Sequence, residues 1–141
     1  MKALKQILIV ENDNFYQELI KNHFQDKNYR VKCFESGEDF FLQDIKGDLV
    51  VLNYKLAGDI NGLDVLERLK DEGNTAPVIF LSDQEDIEIA IDSLKWGAFD
   101  YVIKDENVFD NIDQAISRFI VFSEKQAQKR KNIFDFFKKR A

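Results

Sequence analysis

The sequence predicts a doubly wound α/β fold, a parallel five-stranded sheet with helices on both faces. Three observations carry that expectation. Five short apolar runs alternate with five helical patterns along the 141 residues, which calls for parallel strands joined by right-handed crossovers. Three of the runs, Ile7-Leu8-Ile9-Val10, Leu49-Val50-Val51-Leu52 and Val78-Ile79-Phe80-Leu81, are apolar without interruption, as strands covered on both faces are. The punctuating residues fall between the patterns: Gly73 and Gly97 follow helical stretches, and the only proline, Pro77, stands at the start of a strand.

Strands are expected at 6–10, 29–34, 48–53, 77–81 and 99–103, and helices at 14–27, 37–45, 62–72, 85–95 and 107–122. Asp13 starts the first helix. Ser36 precedes the second, with Asp39 three residues on, a loose capping box. A glycine-containing loop leads to Gly62 and the third helix. Asp83 or Gln84 begins the fourth, and Gly73 and Gly97 close the third and fourth as C-terminal caps. Pro77 sits where a missing N–H is tolerated. On the fourth helix Ile87, Ala90, Ile91 and Leu94 share a stripe, read as the core face. Ile89 and Trp96, seven apart, then point outward as anchors for a partner. The expected strand order is 2-1-3-4-5, the flavodoxin-like three-layer sandwich.

Composition bounds the rest. A hydrophobic share of 45% and a charged share of 33% are those of one globular domain. Cys33 has no partner cysteine, so no intrachain disulfide forms, and a reducing, cytoplasmic setting fits. No apolar run approaches the ~18 residues a membrane span needs, and the run after the N-terminus is too short for a signal-peptide core. The net charge of -6 hides a split. Residues 123–141 sum to +5 and the remainder to -11, so the chain divides into a domain, 1–122, and a basic tail, 123–141, expected to be partly helical. The tail ends in an amphipathic segment from Ile133 to Arg140. Packing or partner contact suits it better than a membrane surface, for which it is short. Nothing in the pattern reads DNA, and no nucleic-acid partner is expected. Lone His23 and Cys33 read as an edge residue and a small hydrophobe.

In an open parallel sheet the functional crevice lies at the carboxyl ends of the strands. Those ends carry Glu11-Asn12-Asp13, Asn53, Ser82-Asp83, and Tyr101 with Lys104-Asp105. Together with the phrases Pro77-Val-Ile-Phe-Leu-Ser82 and Lys95-Trp-Gly-Ala-Phe-Asp-Tyr-Val-Ile-Lys104, they resemble the receiver domains of response regulators over residues 5–122. The resemblance implies an acidic pair at Glu11 and Asn12 and a phosphoacceptor at Asn53, with Ser82, Tyr101 and Lys104 as switch and phosphate-pocket positions. In that family three carboxylates hold Mg²⁺, and the acceptor aspartate takes a phosphoryl group from a histidine kinase.

This chain departs from the pattern where the chemistry lies. Asn53 is an amide where the acceptor carboxylate belongs, and Asn12 replaces a second carboxylate. The formal charge of the site falls from about -3 to about -1, too little for a hard cation. Asp105 replaces the family's proline after the lysine, so a trans bond is expected there. Ala57 replaces another proline, in a loop about one residue longer. The resulting expectation is a phosphorylation-independent receiver-like module, a pseudo-receiver and not an enzyme. It would act by protein–protein interaction in a two-component phosphorelay, with a histidine kinase, another regulator or a second copy as partner. It would hold no cofactor, and Mg²⁺ weakly or not at all. Two readings stay open beside it: a working phosphorylatable receiver, and an ordinary receiver engineered from Asp to Asn at position 53.

Overall fold

A computed structural model describes residues 4–83 and 86–140. The chain runs β1 (Gln6–Val10), α1 (Asn14–Gln25), β2 (Arg30–Phe34), α2 (Gly37–Gln43), β3 (Leu49–Asn53), α3 (Gly62–Asp71), β4 (Val78–Ser82), α4 (Ile87–Lys95), β5 (Asp100–Ile103) and α5 (Val108–Arg140). The sheet order is β2-β1-β3-β4-β5, and every pairing is parallel. This is the expected doubly wound topology.

The continuous apolar runs explain the layering. Successive strand residues point to opposite faces. Ile7, Ile9, Val51, Ile79 and Leu81 therefore pack with Ile20 and Phe24 of α1 and Ile112, Ala115 and Ile116 of α5. Leu8, Val10, Val50, Leu52 and Phe80 pack with Phe40 of α2 and Val65, Leu66 and Leu69 of α3. Each central strand thus needs an apolar residue at every position. The edge strand β2 buries little more than Phe34.

The helix starts are built by side chains. Asp13 caps α1, accepting from Phe15 N at 2.9 Å and Tyr16 N at 3.1 Å. Ser36 caps α2 through Asp39 N. Asn61 and Asp64 form a reciprocal capping box on α3, which starts at Gly62 as expected, though the capping pair itself is absent from the sequence reading. The expectation that Gln84 opens α4 lies outside the described residues; α4 follows Asp86, which makes no side-chain cap bond.

Two expectations are corrected. The first is the face of α4. Ile89 is buried, 8% exposed, against the cluster on its side of the sheet. Ile87, Ile91 and Leu94 are 74%, 52% and 51% exposed. Ile89 is therefore a core residue and not a partner anchor, whereas Trp96, the C-cap, is exposed. The cause is the space available. The inward stripe is Ile89 and Ser93, and Ser93 can be buried because its hydroxyl donates to the Ala90 carbonyl oxygen at 2.8 Å. The small Ser93 lets α4 pack against β5 and α3, where a stripe of three large aliphatics would need more room.

The second is the length of the last helix, which continues unbroken past residue 122 to Arg140. No glycine or proline interrupts it, and its distal part is rich in Lys, Arg and Gln, good helix formers. Phe119 and Phe122 lie against Phe99; from Glu124 onward every described residue is exposed. At ~1.5 Å per residue, the exposed stretch extends about 25 Å from the domain.

Candidate functional site

Strand order dictates what meets at the carboxyl end of the sheet. β1 lies between β2 and β3, and β4 between β3 and β5, so the residues ending β1, β3, β4 and β5 converge. Glu11, Asn53 and Ser82 are buried, at 1%, 5% and 4% exposure. Lys104 follows β5, and its backbone N–H donates to the Ser82 carbonyl oxygen at 3.0 Å.

Glu11 is the hub. Lys104 Nζ donates to Glu11 Oε1 at 2.5 Å. Asn53 Nδ2 donates to Glu11 Oε2 at 2.9 Å and to the Lys55 carbonyl oxygen at 2.7 Å. An amide nitrogen has two N–H groups, and both are committed. The Asp13 backbone N–H reaches Oε2 at 3.2 Å. Exposed Asn12 stands at the rim. With its amide nitrogen inward it lies 2.7 Å from the Lys55 carbonyl oxygen and 3.0 Å from Glu11 Oε2. This orientation faces a donor to each acceptor; the reverse sets the Asn12 oxygen against them, with one bond from Asn53 Nδ2 at 3.3 Å. A carboxylate offers about four lone-pair sites, and four donors surround this one.

The electrostatics follow. Burial pushes the Glu11 carboxyl above the ordinary glutamate range, and the bond to Lys104, with its positive charge, offsets part of that shift. Lys104 Nζ also lies 4.3 Å over the Tyr16 ring, held between a carboxylate and an aromatic face. The Tyr16 phenol is pushed up to about 12, first by burial and then by the charges of Glu11, Asp105 and Asp83. It remains a protonated wall of the crevice at neutral pH. Asp13 is occupied at its cap. Lys55 and Asp83 form a rim ion pair at 3.6 Å, both side chains mostly exposed. Tyr101 is half-buried and stacks on Phe80 at 6.3 Å, on the α4 side of the sheet.

The loop after β3 is fastened at several points. Ala57 N–H donates to the Glu35 carbonyl oxygen at 3.1 Å, and Ala57 forms an isolated parallel bridge with Ser36. A proline at 57 would lack that N–H. Gly58 takes φ +85°, favourable to glycine. Asp59 N donates to Glu38 Oε2 at 2.9 Å, which holds that exposed carboxyl below its usual range. Gly62 must be glycine: a Cβ there would come within 2.3 Å of the Asn53 carbonyl oxygen. After β5, the peptide bonds are trans, and Asp105 N–H donates to the Ile103 carbonyl oxygen at 3.0 Å, a bond proline could not make.

Tyr16, Gln17 and Lys55 were not singled out by sequence. Gln17 Nε2 donates to the Glu11 carbonyl oxygen at 3.1 Å. Asp13 as N-cap was the available signal, because capping there turns the first turn of α1 toward the end of β1. Lys55 contributes a backbone carbonyl, which no side-chain pattern reveals. Among the described residues no group of three or more His, Cys, Asp or Glu is placed to hold a metal ion. The donor set does not fit Mg²⁺: one carboxylate, hydrogen-bonded at both oxygens, faces two neutral amides. A hard cation takes several charged or carbonyl oxygens with open lone pairs.

Comparison with known proteins agrees with this architecture. Residues 7–117 match the family model of the response regulator receiver domain. The chain is 35% identical over 102 residues to the response regulator protein TmoT of Ectopseudomonas mendocina, covering 70% of this chain and 45% of that protein. It is 27% identical over 106 residues to the regulatory protein AtoC of Escherichia coli, covering 74% of this chain and 23% of that one. The chain thus spans less than half the length of these curated relatives. Among solved structures, the BeF3-activated DrrB receiver domain superposes with a TM-score of 0.74 at 28% identity, over 84% of this chain and 98% of that one. A CheY-like receiver domain protein from Methanospirillum hungatei gives 0.76 at 24%, over 88% and 99%.

Proposed function

We propose that this chain, which belongs to the response-regulator receiver domain family, acts without accepting a phosphoryl group. In this reading it is a pseudo-receiver of a two-component pathway, a module that works by protein contact. One observation carries it: the Asn53 side chain donates both N–H groups to Glu11 Oε2 and the Lys55 carbonyl oxygen, while Lys104 is held by Glu11. The acceptor position offers no carboxylate oxygen to attack phosphorus. The lysine that would pair with a phosphoryl group already neutralises a buried glutamate. Entry of Mg²⁺ would have to displace that lysine or the amide donors from Glu11, so its binding is weak or absent.

Ser82 and Tyr101 retain the switch positions but have no incoming phosphoryl group to follow. The loop fastened through Ala57 and Asp59 supports a fixed conformation. Signalling then falls to the surface, where Ile87, Ile91 and Leu94 stand exposed on α4 and Trp96 is exposed at its C-cap. The partner is a protein, a histidine kinase or another regulator, and not a nucleic acid. No described helix is long and apolar enough to cross a membrane.

The test is incubation with acetyl phosphate and Mg²⁺ followed by intact mass. The expected result is no change; a gain of about 80 Da, one phosphoryl group, would establish a working receiver instead. Calorimetric titration with Mg²⁺ is expected to show little heat.

A further inference from the structure

Two exposed apolar surfaces on this chain carry opposite charge. On α4, Ile87, Ile91 and Leu94 recur at the spacing of one helical face. Glu88 and Asp92, four apart, line one side, and Asp86 stands at the N-terminal end. On the distal part of α5, Ile133, Phe136 and Phe137 share a face, 49%, 53% and 66% exposed. That face is flanked by Lys129, Arg130 and Arg140, and the Arg140 guanidinium lies 4.8 Å over the Phe136 ring. Clustered exposed side chains of this size mark interaction sites.

We propose that the distal α5 helix of one chain docks on the α4 face of a second copy, and that two copies exchange tails reciprocally. Charge selects the occupant. The domain sums to -11 and the tail to +5, so the basic aromatic segment that complements an acidic apolar face is present in every copy. Geometry excludes the same chain. Because α5 is one continuous helix, Ile133 is held about 16 Å beyond Phe122 along its axis and cannot turn back onto α4. A reciprocal exchange closes under two-fold symmetry and leaves no unpaired tail. Ile87, Ile91 and Leu94 would meet Ile133, Phe136 and Phe137, with Glu88 and Asp92 opposite Lys129 and Arg130. This proposal rests on the reading of the α4 face as a contact surface and names its occupant.

The test uses the full chain in sedimentation equilibrium. The parent is expected to be a dimer that weakens as salt rises, because screening reduces exposed charge attraction. Glu88→Lys with Asp92→Lys, and separately Lys129→Glu with Arg130→Glu, should each shift dissociation at least tenfold toward monomer. Mixing the two variants should restore a heterodimer, since both exchanged contacts are again complementary: the acidic variant tail meets the basic variant α4, and the unchanged basic tail meets the unchanged acidic α4. A parent monomeric at 100-fold dilution and at the highest concentration alike overturns the proposal. A dimer lost on Ile91→Lys but indifferent to the tail variant keeps the contact face and overturns the tail as its occupant. Monomers whose tail instead binds vesicles of anionic lipid overturn it in favour of a membrane surface.

Discussion

The crevice at the strand ends and the outer surface of α4 and α5 are built on opposite terms. In the crevice, polar groups are buried and satisfied; among the described residues no buried side-chain nitrogen or oxygen lacks a partner. On the outer surface, large apolar groups are exposed and uncovered: three aliphatics and a tryptophan on α4, and an isoleucine and three phenylalanines on distal α5. Satisfied polar groups resist rearrangement, because opening any one leaves another buried without a partner. Exposed apolar groups gain from being covered. The contrast teaches that on the reading proposed above the capacity for change lies at the surface, where a partner would dock, rather than in the crevice.

The most forceful way to break the crevice is Lys104→Met. It removes the countercharge of a buried carboxylate while keeping the side chain's bulk. Breaking such a pair from one side costs about 3 kcal/mol or more. The pH dependence identifies the cause. Burial already raises the Glu11 carboxyl above 4.5, and without Lys104 it rises further. A raised acid favours the folded state below its ordinary value and loses that contribution as pH climbs through the folded-state value. The deficit of the variant is therefore largest at neutral pH and shrinks toward pH 4.5. Urea unfolding at a series of pH values checks this; a deficit independent of pH would remove Glu11 from the explanation.

A comparison within α4 sharpens the outer surface. Ile89→Ala creates a cavity beneath the helix and costs about 2 kcal/mol. Ile91→Ala, two residues on, changes stability by less than about 0.5 kcal/mol, as does Trp96→Ala, while either weakens association. Equal thermal losses at 89 and 91 would show that α4 is not seated on Ile89.

Asn53→Asp is the finest probe of the crevice. It replaces two donated hydrogen bonds by a carboxylate facing Glu11 Oε2 and the Lys55 carbonyl oxygen, at an expected cost of about 1–2 kcal/mol. Mg²⁺ should recover part of this, and Asn12→Asp added to it should recover more, by supplying a second charged ligand. Thermal melts with and without Mg²⁺ read both effects. A single variant as stable as the parent in the absence of metal would show the crevice to be less tightly committed than its bonds imply.

Local pattern was enough for the sheet. A strand buried on two faces needs apolar residues throughout, and β1, β3 and β4 announce themselves that way; handedness then follows from the crossovers, and the order is the flavodoxin-like one of the two common doubly wound arrangements. Asn12, Asn53 and Asp105 were legible as departures only against the receiver pattern that the strand ends resemble. The facing of α4 was not legible. Helical periodicity locates a stripe but does not say which side the sheet accepts, and the larger stripe was the one excluded. The sequence reads the tail as partly helical but as separate from α5, because the change in composition near residue 123 resembles a boundary although no glycine or proline stops the helix there.

By itself, then, the sequence determined the five-stranded topology, the convergence of four strand ends and the amides at positions 12 and 53. Tertiary structure alone decided that Glu11 is enclosed by Lys104, Asn53, Asn12 and the Asp13 backbone, that Tyr16 stands beside the lysine, and that Ile89 rather than Ile91 is buried. The physical reason is one of range. Strand and helix patterns arise from neighbours within a few residues, whereas the partner of a buried charge lies 93 residues away in the chain, and the close fit of a helix to a sheet depends on the space both elements leave.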